Sequence, residues 1–401
     1  MRTEEYEVIV VGGGPAGSSA ATMLGKNGKK TLLIDKGRFP REKTCGDGMT
    51  FKCVSTLKKL GVAGDFTAQS ARTAGYRIHF SDGTEISVRK NLREEQAVVY
   101  LMPRFVFDNL LMQNAKSFPS VGVAEETTAT RALLDGDRVV GVEIAANGKP
   151  AAQFYASLVI DASGVDSKIA AQFNGAPRDF NEYALTVRGY YDDVEGLDDL
   201  VEFVFDERIL PGYFWIFPIG PKSANVGCGT FQHIVMQQDI NLRELFMDFV
   251  NQHPIGRKLK NAKLRSALKG GKIPLGFDEK SRVRNGIIFC GDAAGFCDPL
   301  TAEGIGFALE SGVLAAETAS QALSANKFDQ SFLSRYDDGW RKAFGDRFTR
   351  AEFAQQPVGK EYFLDYVVQA LSTHPALERA AKDVGEQYQL MFKLKALLKS
   401  L

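Results

Sequence analysis

Residues 7–17 read EVIVVGGGPAG, an apolar run that leads into glycines with GxGxxG spacing. The run at 7–12 is typical of a parallel strand that is buried on both faces. Residues 15–26 then carry small side chains at helical spacing and end at an Asn-Gly stop signal, and residues 31–35 form a second strand. This order predicts a βαβ unit at the start of a Rossmann-like α/β domain.

The glycine turn carries the residues needed to hold a dinucleotide. Gly12 permits the tight turn, Gly14 lets backbone approach a pyrophosphate, and Gly17 permits close helix packing, while the helix N-terminus offers free N–H groups to phosphates. Asp35 ends the second strand near the roughly 20-residue spacing expected of a ribose-binding carboxylate, and this context disfavours a chance glycine turn. The predicted dinucleotide-binding residues are Gly12, Gly14, Pro15, Ala16, Gly17, Asp35 and Lys36.

A second motif, residues 291–296 (GDAAGF), favours FAD over NAD. It follows a buried-strand pattern at 286–291 and precedes a long helix predicted at 303–323. Asp292 can accept a hydrogen bond from a ribityl chain, and a helix N-terminus at Gly304 and Ile305 can stabilise negative charge on the N1/C2 edge of a reduced flavin. The alternative for Asp292 is a capping or turn residue. We therefore expect Asp292, Gly304 and Ile305 to contact FAD.

Composition excludes several classes of protein. Lys plus Arg total 49 and Asp plus Glu total 49, so the basic excess needed for a nucleic-acid partner is absent. The five cysteines show no CxxC spacing and the four histidines no metal spacing, so neither a disulfide framework nor a metal site is predicted. No run of about 18 apolar residues is found. We expect a cytoplasmic protein, with peripheral membrane contact left open.

The pattern along the 401 residues predicts two domains and a helical end. A discontinuous FAD-binding domain is expected at 1–71, 91–182 and 270–325, with a helix at 104–116. A β-rich substrate-binding domain is expected at 72–90 and 183–269, inserted into the first. Asp-Gly or Asn-Gly pairs at 82–83, 135–136 and 147–148 predict hairpin turns. Residues 326–401 are predicted to be helical.

Three further segments resemble one flavoprotein family. They are CGDG at 45–48, YFWIFP at 213–218 followed by GCG at 227–229, and the sequence from 299 to 312. With the two flavin motifs, they make the chain resemble the para-hydroxybenzoate hydroxylase-type superfamily over about 1–325, and within it the geranylgeranyl reductase family. The resemblance implies an FAD-dependent reductase of carbon–carbon double bonds in an isoprenoid or similar long apolar substrate.

The resemblance also assigns candidate site residues. It places Cys45 and Gly46 beside the isoalloxazine, where the thiol would position substrate or help deliver a proton, and it makes Arg104 an FAD contact. The alternatives are a small buried cysteine and a solvated charge at the start of a helix. Strand alternation puts Tyr213, Trp215 and Phe217 on one face. Packing alone favours a sheet core there, whereas the resemblance favours a substrate-binding wall, with Cys45, Tyr213 and Trp215 as catalytic candidates.

Two other functions remain open at this point. The aromatic-Trp-x-Phe-Pro segment is also similar to that of flavin-dependent halogenases, so a monooxygenase or halogenase is the first alternative. A non-catalytic prenyl-lipid binding protein is the second, and Asp35 with the intact Gly291-Asp292 pair argues against it. Ser163-Gly164 stands where the superfamily commonly has Asp-Gly, and no second GxGxxG follows a strand, so the external electron donor stays unknown.

A lipid substrate raises the question of membrane contact. Leucines recur at helical spacing near the C-terminus and lysines lie among them, at Leu390, Lys393, Leu394, Lys395, Leu397, Leu398, Lys399 and Leu401. Such a helix can rest on an anionic membrane. A helix docked on its own domain shows the same pattern and is the favoured alternative.

Overall fold

The structure, a computed structural model, describes residues 5–81, 83, 85–89, 97–146, 152–174, 183–275, 280–299 and 301–349. The strands in chain order are β1 (Glu5–Val11), β2 (Thr31–Ile34), β3 (Gly48–Thr50), β4 (Ala71–Thr73), β5 (Gly75–Phe80), β6 (Glu85–Arg89), β7 (Val99–Leu101), β8 (Val121–Ala124), β9 (Thr127–Asp135), β10 (Arg138–Ala146), β11 (Ala152–Asp161), β12 (Tyr183–Asp192), β13 (Leu200–Phe205), β14 (Tyr213–Gly220), β15 (Ser223–Phe231), β16 (Lys263–Leu264), β17 (Lys269–Pro274), β18 (Val283–Arg284) and β19 (Ile287–Phe289).

The helices in chain order are α1 (Pro15–Lys26), α2 (Cys53–Leu60), α3 (Ala63–Gln69), α4 (Arg104–Lys116), α5 (Lys168–Asn174), α6 (Gln232–Gln237), α7 (Leu242–Gln252), α8 (Ile305–Ala325), α9 (Gln330–Leu333) and α10 (Arg335–Trp340). Single 3-10 turns lie at Ile255–Leu259 and Gly291–Ala294, and a π-helical turn lies at Arg341–Gly345.

The first sheet is built around β1, in the order β18-β19-β11-β1-β2-β8. Strands β2, β8, β11 and β19 run parallel to β1, and β10 and β9 extend the sheet as an antiparallel hairpin on β11. Val8, Ile9 and Val10 of β1 are fully buried, in one core with residues of α1, α8 and the β9–β10 hairpin. In sequence, β19 follows all the strands of the second sheet, so the first sheet is built from segments that are not contiguous in the chain.

Helices α1 and α8 pack side by side on the first sheet. A Cβ on Gly312 of α8 would lie 2.1 Å from the carbonyl oxygen of Ala16 in α1, so this crossing requires glycine. Helix α4 packs on the other side of α1. The N-termini of α1 and α8 are thus carried by two helices in direct contact.

The second sheet has the order β16-β12-β15-β14-β13-β5-β6, with β17 on β12. Neighbours are antiparallel except β13 and β5. One face packs on α7, where the rings of Phe214 and Phe249 stack at 4.3 Å, and the other face turns toward the first sheet. Strand β17 continues this sheet to residue 274, five residues past the predicted limit of 269. A small sheet, β3-β7-β4, lies between the two.

The predicted fold class is confirmed: a Rossmann-like α/β unit is combined with a β-rich second sheet. Helix α4 has the predicted bounds, whereas α8 begins at Ile305, two residues later than predicted, because Gly304 forms its N-cap. No helix among the described residues is both long and apolar enough to cross a bilayer. The predicted turns at 82–83 and 147–148 and the C-terminal helix from 390 fall wholly or partly outside the described residues.

Candidate functional site

The glycine turn shows two positions that require glycine and one that is open. Gly12 has φ of +100°, and its Cβ would lie 2.3 Å from the Ala162 carbonyl oxygen. A Cβ on Gly17 would lie 1.7 Å from the carbonyl oxygen of Gly12. At Gly14, the N-cap of α1, the nearest atom is Nη2 of Arg41 at 3.8 Å. The open backbone at Gly14, in front of a helix N-terminus that begins with Pro15 and Ala16, fits a pyrophosphate.

Asp35 is buried at the end of β2 and braces this turn. Its Oδ2 accepts a hydrogen bond from the Gly13 N–H at 2.7 Å, and its Oδ1 accepts one from the Gly37 N–H at 2.7 Å. Arg41 contacts both carboxylate oxygens at 3.2 Å and also reaches Asp108. A ribose hydroxyl would therefore have to replace part of the Arg41 contact. The sequence analysis did not identify Arg41. Lys36, which follows Asp35 and was predicted to bind the dinucleotide, is exposed.

Arg104 is buried at the start of α4, which rules out a solvated charge. It forms a two-pronged ion pair with Asp108, with Nε–Oδ1 at 2.6 Å and Nη2–Oδ2 at 2.8 Å. Burial lowers the pKa of Arg104, but the Asp108 carboxylate and the Cys45 side chain outweigh it and raise the pKa above its ordinary value. The guanidinium therefore lies beside the Cys45 thiol. A contact between Arg104 and FAD stays a prediction.

The loop at 45–48 packs directly on β14. A Cβ on Gly46 would lie 3.1 Å from the Phe217 ring and 3.8 Å from Nε1 of Trp215. The Asn225 Nδ2 donates to the Cys45 carbonyl oxygen at 2.7 Å, and the Asn225 Oδ1 accepts from Trp215 Nε1 at 2.9 Å. The predicted thiol loop and the predicted aromatic strand are therefore brought together.

Tyr213, Trp215 and Phe217 of β14 form a wall on the face turned toward this loop. The ring centroid of Trp215 lies 6.2 Å from those of Tyr213 and Phe217. Phe203 of β13 joins them, at 5.2 Å from Tyr213 and 5.3 Å from Phe217. Phe205 contacts Tyr213 at 5.9 Å, so both β13 phenylalanines extend the wall. The alternation inferred from sequence is present in the strand.

A small, largely apolar cavity of about 50 Å³ adjoins this wall. Its lining includes Tyr213, Trp215, Phe231, Ile273, Leu275 and Pro299. The Tyr213 hydroxyl donates to the Thr301 carbonyl oxygen at 3.1 Å, which ties the wall to the loop before α8. A larger open depression of about 500 Å³, between α8 and α9, contains none of the predicted site residues.

The second flavin motif lies between β19 and α8. Asp292 is partly buried in the 3-10 turn, with Oδ1 3.6 Å from where a Cβ of Gly304 would lie, and Ile305 is the first residue of α8. Arg347 braces the intervening loop through Asp298 at 2.7 Å and Glu303 at 2.8 Å. Because α8 contacts α1, this N-terminus and the glycine turn are held by one helix pair. That arrangement fits an extended dinucleotide with a flavin at one end.

Polar residues missed by sequence reasoning surround the thiol loop. Asp47 is fully buried, and its Oδ2 accepts hydrogen bonds from Tyr190 Oη at 2.7 Å and Asn225 Nδ2 at 2.8 Å. Arg188 stacks over the Tyr190 ring at 4.1 Å. Asp47 stands inside the CGDG segment, so its position was visible, but its partners come from strands more than 140 residues away. No local pattern marked Tyr190 or Asn225.

Ser163, where the resemblance led us to look for an acidic residue, hydrogen-bonds to the carboxylate of Asp161. The Asp161 Oδ1 accepts hydrogen bonds from the Ser163 N–H at 3.0 Å and its Oγ at 2.6 Å. Burial raises the pKa of Asp161. Ser163 thus closes the turn after β11.

Comparisons with known proteins agree with this geometry. A family model for an FAD binding domain matches residues 5–200, and one for a geranylgeranyl reductase catalytic domain matches 183–268. The digeranylgeranylglycerophospholipid reductase of Methanosarcina mazei is 30% identical over 404 residues, covering 99% of this chain and 94% of the relative. The chain belongs to the geranylgeranyl reductase family. It is an FAD-dependent oxidoreductase.

Two more relatives and one solved structure are also similar to this chain over most of its length. The Methanopyrus kandleri digeranylgeranylglycerophospholipid reductase 1 is 30% identical, with 95% of this chain and 98% of the relative covered. Menaquinone reductase of Mycobacterium tuberculosis is also 30% identical, with 85% and 83% covered. A geranylgeranyl bacteriochlorophyll reductase-like structure from Thermoplasma acidophilum aligns with a TM-score of 0.80 at 24% identity over 95% and 99%.

Halogenases share the fold as well. The myxobacterial chondrochloren halogenase aligns with a TM-score of 0.73 at 20% identity, over 90% of this chain and 83% of that one. At this identity the likeness concerns the fold alone. The family membership therefore rests on the reductases.

Proposed function

We propose that this family member reduces carbon–carbon double bonds in an isoprenoid or similar long apolar lipid. The observation that carries the proposal is the contact between the Cys45 loop and the aromatic wall of β14, with an apolar cavity beside it. The relatives named as digeranylgeranylglycerophospholipid reductases support a prenylated lipid as the substrate class.

The roles of the cofactor-binding residues follow from their places in the fold. The glycine turn and the N-terminus of α1 would hold the pyrophosphate of FAD, and Asp35 would approach the ribose. Asp292 would meet the ribityl chain, and the N-terminus of α8 at Gly304 and Ile305 would face the flavin pyrimidine edge. FAD bound there in its reduced form would supply the hydride that reduction of an alkene needs.

The substrate side of the site has to align an alkene and exclude water. Tyr213, Trp215 and Phe217 provide apolar contact area for a prenyl chain, and the Tyr213–Thr301 hydrogen bond fixes one end of this wall. An unactivated alkene develops no oxyanion, so alignment rather than hydrogen bonding has to lower the barrier. The Cys45 thiol, at the loop edge, is the group that would place the second alkene carbon or pass a proton to it.

A direct test uses the FAD-loaded full chain under anaerobic conditions. The protein is reduced with dithionite and mixed with a geranylgeranyl lipid in detergent, and the product is analysed by mass spectrometry. We expect the gain of two hydrogen atoms per reduced double bond. A product that forms only with oxygen, or only with halide, would point to the monooxygenase or halogenase alternative. A lipid that stays unchanged while bound would favour a binding protein.

The thiol is tested by Cys45→Ala. We expect FAD to be retained and the rate of alkene reduction to fall by roughly 10²-fold, the usual contribution of a positioned acid. Cys228→Ala is the matched control. Cys228 lies in β15 and is buried on the face of the second sheet that packs on α7, away from the Cys45 loop. Full turnover by Cys45→Ala would return Cys45 to a packing role.

A further inference from the structure

Asp47 has an unusual backbone conformation inside the thiol loop. Its φ is +67°, in the left-handed region that is costly for residues other than Gly, Asn and Asp. Glycines flank it at 46 and 48. This turn places the Asp47 N–H 3.4 Å from the Sγ of Cys45, as a donor to the sulfur. The loop conformation and the thiol position are therefore set together.

The Asp47 carboxylate is held by three different elements. Its Oδ2 accepts from Tyr190 of β12 at 2.7 Å and from Asn225 of β15 at 2.8 Å. Its Oδ1 accepts from the Arg104 N–H at the start of α4, at 3.2 Å. A fully buried carboxylate with donors on both oxygens has little freedom to rotate. Asp47 thus joins the loop to the second sheet and to the N-terminus of α4.

Asn225 extends this network to the aromatic wall. Its orientation is determined by chemistry, because the Trp215 Nε1–H can only donate and so must face the Asn225 Oδ1. The Asn225 amide nitrogen then faces both the Cys45 carbonyl oxygen and the Asp47 carboxylate. One amide therefore links the indole of Trp215, the thiol loop and Asp47.

We propose that Asp47 is a positioning residue that fixes the Cys45 thiol relative to the Trp215 ring, through Asn225. Its importance for turnover rests on the proposed function, but the coupling is a property of the loop and sheet themselves. Contact of a substrate chain with Trp215 and placement of the thiol then depend on one hydrogen-bond network.

The charged groups around Asp47 are consistent with a carboxylate as its working form. Arg188 and Tyr190 face it from β12, Arg104 faces it from α4 with Asp108 behind, and Cys45 lies on its own loop. Burial raises the pKa of Asp47 to about 6, while the hydrogen bonds from Asn225 and Tyr190 and the charge of Arg188, which stacks on the Tyr190 ring, lower it and keep the carboxylate the main form at neutral pH.

The test is Asp47→Asn, which keeps the shape and tolerates the positive φ. Either orientation of the new amide turns its NH₂ group toward a donor, the Arg104 N–H on one side or Tyr190 and Asn225 on the other. We expect iodoacetamide to alkylate Cys45 of the FAD-loaded variant about tenfold faster than in the wild type, the effect of losing one such hydrogen bond. Peptide mass spectrometry identifies the modified cysteine, and no substrate is needed.

Two further variants make the result decisive. Tyr190→Phe removes one donor and should shift Cys45 alkylation in the same direction by a smaller factor, which covers a failure of Asp47→Asn to fold. Glu202→Gln is the matched control: Glu202 is a buried carboxylate in β13, bound by His79 at 2.9 Å and Lys258 at 2.6 Å, and should leave alkylation unchanged.

An Asp47→Asn rate that is lower than that of the wild type or within twofold of it, with normal FAD content, overturns the coupling. So does an equal rise in Glu202→Gln. Failure of alkene reduction in the wild type, with the alkylation pattern as expected, would instead count against the proposed function alone.

Discussion

At the scale of single residues, Gly14 and Gly17 of the same turn differ in the space available for a side chain. Gly17 is closed off by the carbonyl oxygen of Gly12, whereas Gly14 faces open space with an extended ψ that alanine adopts freely. We expect Gly17→Ala to lower the free energy of unfolding by roughly 3 kcal/mol. Gly14→Ala should fold with nearly normal stability but bind FAD more weakly, because its methyl group occupies the approach to the pyrophosphate.

Thermal unfolding without FAD and FAD titration of the apoprotein separate the two effects. Gly64→Ala is the control, since no atom lies within 4 Å of its Cβ position in α3. Wild-type FAD affinity in Gly14→Ala would remove the pyrophosphate from this position.

Asp47 also gives the protein a predictable pH dependence. Burial raises its pKa from 3.8 to about 6, although Asn225, Tyr190 and Arg188 lower it. The folded state therefore binds this proton more tightly than the unfolded state, so the linked stability is complete at low pH and is lost as the pH rises through about 6. Relative to Asp47→Asn, the wild-type free energy of unfolding should fall by on the order of 2–3 kcal/mol between about pH 4 and about pH 7.

Urea titrations of both proteins at several pH values measure this difference. A difference that stays constant across the range would show that Asp47 keeps its ordinary pKa in the fold.

Sequence alone anticipated the residues whose neighbours are local. The GxGxxG turn, Asp35 and the alternation along β14 depend on contacts within a few residues or within one βαβ unit. The partners of Asp47 could not be inferred, because Tyr190 and Asn225 approach it from another sheet. Arg104 was singled out, but its ion pair with Asp108 was not. That pair excludes the alternative of a solvated charge, whereas the FAD contact expected of Arg104 stays a prediction.

At the scale of elements, Arg347 braces the loop between the 3-10 turn and α8. Arg347 binds the buried Asp298 and the partly buried Glu303, and Thr50 donates to the other oxygen of Glu303 at 2.8 Å. Arg347→Met removes the ion pairs of Arg347 with both carboxylates and should cost roughly 2–3 kcal/mol of stability. FAD affinity should also fall, because the loop leads into Gly304.

The comparison is Arg208→Met, which breaks the partly exposed pair with Asp206, a residue only two positions away, and should cost under about 1 kcal/mol. Equal losses in the two variants, measured by urea denaturation, would contradict a bracing role for Arg347.

Elements with strong local signals were predicted well, and those whose limits depend on packing were not. Helix α4 carries its apolar periodicity within its own sequence, with Phe107, Leu111 and Met112 on its buried side. Strand β17 has the sequence KGGKIP, which carries little strand signal, and it is a strand because it pairs with β12 over six residues. Helix α8 begins at Ile305 rather than at the predicted residue 303, because Gly304 adopts a non-helical conformation next to Asp292.

At the scale of the whole molecule, the C-terminal segment is the part whose role depends most on the substrate. We hypothesise that its leucines and lysines bring the protein to anionic lipid, where a prenylated substrate resides. The full chain should then sediment with anionic vesicles more strongly than a chain that ends at Gln389. Circular dichroism and FAD content control for folding, and equal sedimentation of two folded proteins rules the membrane role out.

The order of strands in the first sheet has a consequence for synthesis. Strand β11 pairs with β1 on one side and with β19 on the other, and α8 packs on α1, so about 250 to 270 residues separate the end of the first βαβ unit from β19 and α8. At ribosomal speeds of about 5–20 residues per second, the nascent glycine turn waits roughly 15–60 s for its partners. During that interval the apolar edge of β11 and the inner face of α1 are uncovered. The two helix N-termini that would hold FAD can therefore come together only after α8 has been synthesised, which leaves the first βαβ unit open to chaperones until then.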